Sequence, residues 1–154
     1  MFDDFQDLYQ EVILDHGKSP RNKRSVENST HQAYGNNPMC GDKLALYLRV
    51  NGQGLVEDVG FQGEGCAISE ASASLLTEVL VGKTKAQAME LFDAFHKLAK
   101  GEDVHKLSDE LLDDFGRLEV LGGVRAFPMR VKCATLAWHT LDSALNLKDE
   151  ATTE

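Results

Sequence analysis

Apolar residues recur along this chain with two periods, and each period predicts its own kind of element. Between Phe5 and His16 they return every three or four positions (Phe5, Leu8, Tyr9, Val12, Ile13, His16), which predicts an amphipathic helix stopping near Gly17, with Pro20 just beyond. Residues 21–29 are polar and mixed in charge and read as a loop, and Thr30 to Tyr34 as an edge strand. The period then drops to two: Leu44, Leu46 and Leu48 share one face of a strand from Lys43 to Val50. Asn51-Gly52-Gln53-Gly54 supplies turn chemistry, and Leu55 to Gln62 returns as the second arm of a hairpin. From Ala67 the helical period resumes. One helix runs to Val81 before Gly82. A second follows the capping-box sequence Thr84-Lys85-Ala86-Gln87, carries Met89, Phe92, Phe95 and Leu98, and ends at Gly101. Ser108 is placed to cap a short helix through Phe115, and Arg117 to Leu121 adds a turn or two. Gly122-Gly123 and Pro128 then break the chain before a last helix from Ala134 to about Leu147. The expected architecture is α+β, a small antiparallel sheet with helices packed on one face.

Length and composition narrow this picture. The 154 residues suit a single domain spanning 1–154, large enough to bury a core without disulfides, with residues 148–154 a frayed tail. The net charge of −9 disfavours nucleic acid and anionic membrane surfaces, both of which select basic faces. No apolar run reaches spanning length, and Met1-Phe2-Asp3-Asp4-Phe5 lacks the basic and apolar regions of a signal peptide. Three cysteines cannot all pair within one chain, so the expected setting is a reducing cytoplasm.

There a cysteine either packs as a small hydrophobe or does chemistry, and the settings of these three favour chemistry. Cys40 sits in the turn Asn37-Pro38-Met39-Cys40-Gly41-Asp42. Cys66 follows Gly63-Glu64-Gly65, where the glycines let backbone approach closely, and Cys133 follows Arg130-Val131-Lys132. Cys66 and Cys133 each precede a predicted helix, whose N-terminus favours thiolate. The two arms of an antiparallel hairpin bring the start of one strand beside the end of the next, so Cys40, Asp42 and Cys66 should converge. Three thiolates and a carboxylate are the donors of a tetrahedral zinc or iron–sulfur site. Asp42 serves equally well as a turn residue, and Arg130 and Lys132 are either solvated or offset the charge of such a site. The five histidines are dispersed and none has ligand spacing to a cysteine. CxxC, HxxxH, HExxH, Walker, Rossmann and GxSxG patterns are all absent.

Taken together, the three cysteine motifs resemble the IscU/SufU family of iron–sulfur cluster assembly proteins. The likeness runs from Leu8-Tyr9, Val12-Ile13, Asp15-His16 and Pro20-Arg21-Asn22, through the Cys40 turn and Gly63-Glu64-Gly65-Cys66-Ala67-Ile68-Ser69. It closes at Arg130-Val131-Lys132-Cys133-Ala134-Thr135-Leu136-Ala137-Trp138. Lys132, where IscU proteins carry histidine, and the long spacer between Cys66 and Cys133 make it most similar to the SufU branch. The resemblance implies a three-stranded antiparallel sheet with helices on one face, and zinc held by Cys40, Asp42, Cys66 and Cys133. It further implies sulfur accepted as persulfide on Cys40 from a SufS-type, pyridoxal-phosphate cysteine desulfurase, with a downstream scaffold or apo-proteins as recipients. Arg130 and Lys132 would stand beside the ligands. The alternative within the family is a scaffold on which iron and sulfide form a transient [2Fe–2S] cluster. A purely structural zinc site is a third reading.

Overall fold

A computed structural model describes residues 2–104 and 107–152. One of the five dispersed histidines, His105, lies outside them. The first helix, α1 (Phe2–Lys18), turns Tyr9, Val12, Ile13 and His16 toward the body of the molecule, while Leu8, expected on that face, is exposed. Strands β1 (His31–Asn37), β2 (Asp42–Val50) and β3 (Val56–Glu64) follow, then helices α2 (Ala67–Leu80) and α3 (Lys85–Lys100). A 3₁₀ turn at Asp109–Leu111, helix α4 (Leu112–Leu118) and a 3₁₀ segment at Glu119–Ala126 lead into α5 (Pro128–Leu145) and a short strand β4 (Glu150–Thr152).

The sheet corrects the expectation of three antiparallel strands. It has four, in the order β3-β2-β1-β4, and it is mixed: β3, β2 and β1 are antiparallel neighbours, while β4 lies parallel to β1 with Tyr34 opposite Glu150. β1 is therefore an inner strand, not an edge. The reason is local to the chain's end. After α5, Leu147 takes a positive φ of 59° and turns the chain along β1, whose free backbone groups need partners. Tyr34 N–H donates to the Asp149 carbonyl at 2.8 Å. Residues 150–152, expected to fray, are thus paired.

The period of two in β2 works as the sequence suggests. Leu44, Leu46 and Leu48 are buried on the face that packs against α5, and Tyr34, Ala45 and Gln62 form a row across the other face. Trp138 of α5 stacks on Phe95 of α3 at 5.1 Å in the middle of the core. The capping box holds α3, with the Thr84 hydroxyl accepting Gln87 N–H and the Gln87 side chain accepting Thr84 N–H. Ser108 does not cap. Its N–H and hydroxyl both donate to Glu90, tying the spacer to α3. Gly122 and Gly123 sit inside the second 3₁₀ segment and do not break the chain there. No described helix is long and apolar enough to cross a membrane.

Candidate metal centre

The site lies where the open end of the β1–β2–β3 meander meets α2 and α5. Asn37 and Asp42 are register partners at the end of β1 and β2, and the tight connection between them carries Cys40, with Gly41 N–H donating to the Asn37 carbonyl. β3 ends at Glu64, opposite Lys43, and two residues later Cys66 caps α2. Gly63 (φ 135°) passes so near β2 that a Cβ there would overlap the Lys43 carbonyl, and at Gly65 a Cβ would press on Asp42 Oδ1 at 3.0 Å. These glycines let β3 deliver Cys66 onto Asp42, and Cys66 N–H donates to Asp42 Oδ1 at 2.9 Å.

Cys133 arrives by a different route from the one expected. α5 starts at Pro128, not at Ala134: proline suits the first turn of a helix, where its missing N–H has no intrahelical acceptor to serve. Cys133 is therefore in the second turn and not at an N-terminus. It is 3 % exposed. Burial pushes its thiol well up, and contacts with Cys40, Asp42 and Cys66 push the same way. Of the two, only Cys66 sits at a helix N-terminus, where its Sγ accepts Ser69 N–H at 3.4 Å.

Donor atoms of Cys40, Asp42 and Cys133 all lie within 4.8 Å of one another, and the Cys133 thiol donates to Cys40 Sγ at 3.4 Å. Cys66 stands just outside that group, joined to it through Asp42. Asp42 itself is 1 % exposed, Cys40 and Cys66 are exposed, and the cluster opens to solvent on the Cys40 side. Two soft sulfurs and one hard oxygen at this spacing, with a third sulfur adjacent, fit zinc, whose four-coordinate sites take Cys and Asp donors. Arg130 is stacked over Phe127 at 4.5 Å, and its charge opposes the rise that burial imposes on the Tyr9 phenol. Lys132 is half-buried one residue before Cys133.

Two features of the site escape a reading of the cysteines alone. Asn37 is fully buried and reaches both Asp42 and Cys133. Its signal was the inward alternation Ala33, Gly35, Asn37, which ends in a polar residue. Met39, Phe127 and Met129 are about half exposed on the segments bearing Cys40 and Cys133, so apolar side chains stand at the surface next to both in sequence. A hollow of about 380 Å³ does exist, but it lies on the outer sheet face over Tyr34, Ala45 and Gln62 and contains none of the thiols.

Comparison with known proteins finds relatives along nearly the whole chain. Residues 8–149 match the model of the NifU-like N-terminal domain. The chain is 42% identical over 138 residues to the zinc-dependent sulfurtransferase SufU of Bacillus subtilis, covering 90% of this chain and 89% of that one. It is 36% identical over 144 residues to the iron–sulfur cluster assembly scaffold protein IscU of Thermotoga maritima, covering 92% and 94%. A crystal structure of a SUF-system protein from Fervidobacterium islandicum AW-1 superposes with a TM-score of 0.79 at 35% identity, covering 88% of this chain and 94% of that one.

Proposed function

The chain belongs to the NifU-like N-terminal domain family, and on that footing we propose that it is an iron–sulfur cluster assembly protein that binds zinc and accepts sulfur from a cysteine desulfurase. The match over residues 8–149 supports treating the chain as one such domain. The observation that carries the reading is the convergence of Cys40, Asp42 and Cys133 within 4.8 Å, with Cys40 the exposed member.

Cys40, Asp42, Cys66 and Cys133 are the residues that would hold zinc. When bound, the ion keeps thiols deprotonated at neutral pH and holds the site together without redox chemistry of its own. The chain's own residues define the direction of sulfur flow. Cys133 is buried behind Cys40, and Cys66 is fixed as a helix cap, so only Cys40 combines exposure with a place in a turn. Its sulfur attacks the outer sulfur of a persulfide on the donor; a new S–S bond forms, the donor's S–S bond breaks, and the donor's cysteine leaves as thiolate. The exposed apolar side chains Met39, Phe127 and Met129, on the same segments as Cys40 and Cys133, suit delivery by a protein surface better than capture of a small molecule. A pyridoxal-phosphate desulfurase of the SufS type fits this requirement, in the cytoplasm, with a cluster scaffold or apo-proteins downstream. The scaffold reading uses the same donors to collect iron and sulfide, and the full-length similarity to IscU supports it.

Mixing the purified protein with its desulfurase and cysteine tests the proposal, following alanine release, persulfide on Cys40, and zinc and iron content. Sulfur acceptance with zinc retained supports transfer, whereas a coloured cluster on added iron supports the scaffold. Cys40→Ala should abolish persulfide on the protein and stimulation of the desulfurase while leaving the fold intact. Full stimulation by that variant would remove Cys40 as acceptor.

A further inference from the structure

The three thiols receive different hydrogen bonds, and the difference between Cys133 and its neighbour Cys40 traces to one residue that sulfur chemistry does not itself require. Asn37 is 0 % exposed at the end of β1. Its amide nitrogen carries two hydrogens, and both are spent on the site: Nδ2 donates to Asp42 Oδ2 at 3.1 Å and to Cys133 Sγ at 3.6 Å. Its Oδ1 is buried with no partner among the described residues. A buried amide satisfied at one end only is costly, and an apolar side chain of the same size would fill the space without that cost. The position is therefore explained by what the nitrogen does, not by packing.

We infer that Asn37 is a positioning residue that decides which thiol reacts. By holding Asp42 Oδ2 while the Cys66 backbone holds Oδ1, it fixes the carboxylate in one orientation. By donating to Cys133 Sγ, it draws electron density from that sulfur and makes it the stationary, less nucleophilic thiol. Cys66 Sγ is quenched in the same way by Ser69 N–H. Among the described residues Cys40 Sγ receives no N–H donor at all; its one partner is the Cys133 thiol. Cys40 Sγ accepts only the weak Cys133 S–H, so of these two sulfurs, 3.4 Å apart, it keeps the more available electrons.

This inference rests on the proposed metal-binding, sulfur-accepting role, and its test separates the two. Cobalt(II) serves as the probe in place of zinc, added to the wild-type chain and to Asn37→Leu, a near-isosteric change that removes both donors. At saturation the thiolate-to-cobalt charge-transfer band of the variant should move to longer wavelength, because an unquenched Cys133 sulfur gives up electrons more readily. Cobalt affinity should fall by about 10–100-fold, the usual effect of removing a group that orients ligands. In the metal-free proteins, peptide mass mapping after limited iodoacetamide treatment should show the preference for Cys40 over Cys133 reduced in the variant. If Asn37→Leu does not fold, as judged by circular dichroism, Asn37→Ala is read by the same three measurements. A band unmoved at saturation overturns the inference, even with lowered affinity or melting temperature, since packing alone would produce those. A wild-type chain that gives no charge-transfer band overturns this inference and the proposed function together. One that gives the band and the predicted shift yet accepts no sulfur leaves the positioning role standing and removes only the transfer reading.

Discussion

His16 is buried at the end of α1, and its Nδ1 shares a hydrogen bond of 2.7 Å with the Ser74 hydroxyl of α2, which also accepts Arg21 N–H. Burial pulls its pKa below the ordinary value. Arg21 and Arg117 act in the same direction, while Glu78 and Asp15 oppose them. His96 and His139, whose rings meet at 5.2 Å, are lowered too, chiefly by burial. A base whose folded pKa is depressed binds protons more weakly in the folded state than in the unfolded one. Its contribution to stability is intact above about pH 6.5 and is lost as pH falls through the folded value. Calorimetry from pH 8 to pH 5 should show a melting temperature flat above neutrality and falling below it, with a shallower fall in His16→Gln. An identical slope in the variant would remove His16 as a source. At this scale the approach of Cys40, Asp42 and Cys66 was legible, because turn chemistry and capping positions are written in neighbouring residues, whereas the expected place of Cys133 at a helix N-terminus was not what formed. The place of Asn37 beside the cysteines was not legible, since its partners are 5 and 96 positions away and only the assembled fold supplies them.

At the scale of elements, the hairpin and the first three helices were legible because each is defined by its own period and its own stops. The Thr84–Gln87 capping box is the plainest case, a reciprocal pair of hydrogen bonds predicted from four letters. Thr84→Ala should cost about 1 kcal/mol, lowering the melting temperature by about 2–4 °C, with cobalt or zinc affinity unchanged because α3 contributes no donor. A loss of metal binding in that variant would mean that α3 and the site are coupled. Elements whose formation depends on a neighbour were misread. Pro128 was taken as a break when it is a start, and the start became clear only from where α5 lies. Glu150–Thr152 has neither alternation nor β-branched bulk enough to announce a strand; the unfilled edge of β1 makes it one.

The whole molecule is a meander whose open end holds the chemistry, closed on one side by β4. Deleting residues 148–154 should leave the helices and the meander folded but return β1 to the edge. Amide exchange should quicken at Tyr34, whose N–H is held by Asp149, and the melting temperature should fall. Unchanged exchange there would show that β4 contributes nothing to the sheet. The α+β class was legible because patterning dictates layers, while the expected wholly antiparallel sheet was not what formed. The mixed edge was not, because it is a property of closure. The same plan has a kinetic consequence. The chain must close 93 residues to bring Cys133 to Cys40, and 24 to bring Cys66 to Asp42, so no short segment can chelate on its own. An unfolded or half-made chain offers an ion only scattered thiols. The centre is then among the last features to form and the first to disperse when α5 lifts away. On the proposed zinc-binding reading, metal uptake by this chain would report that folding has finished.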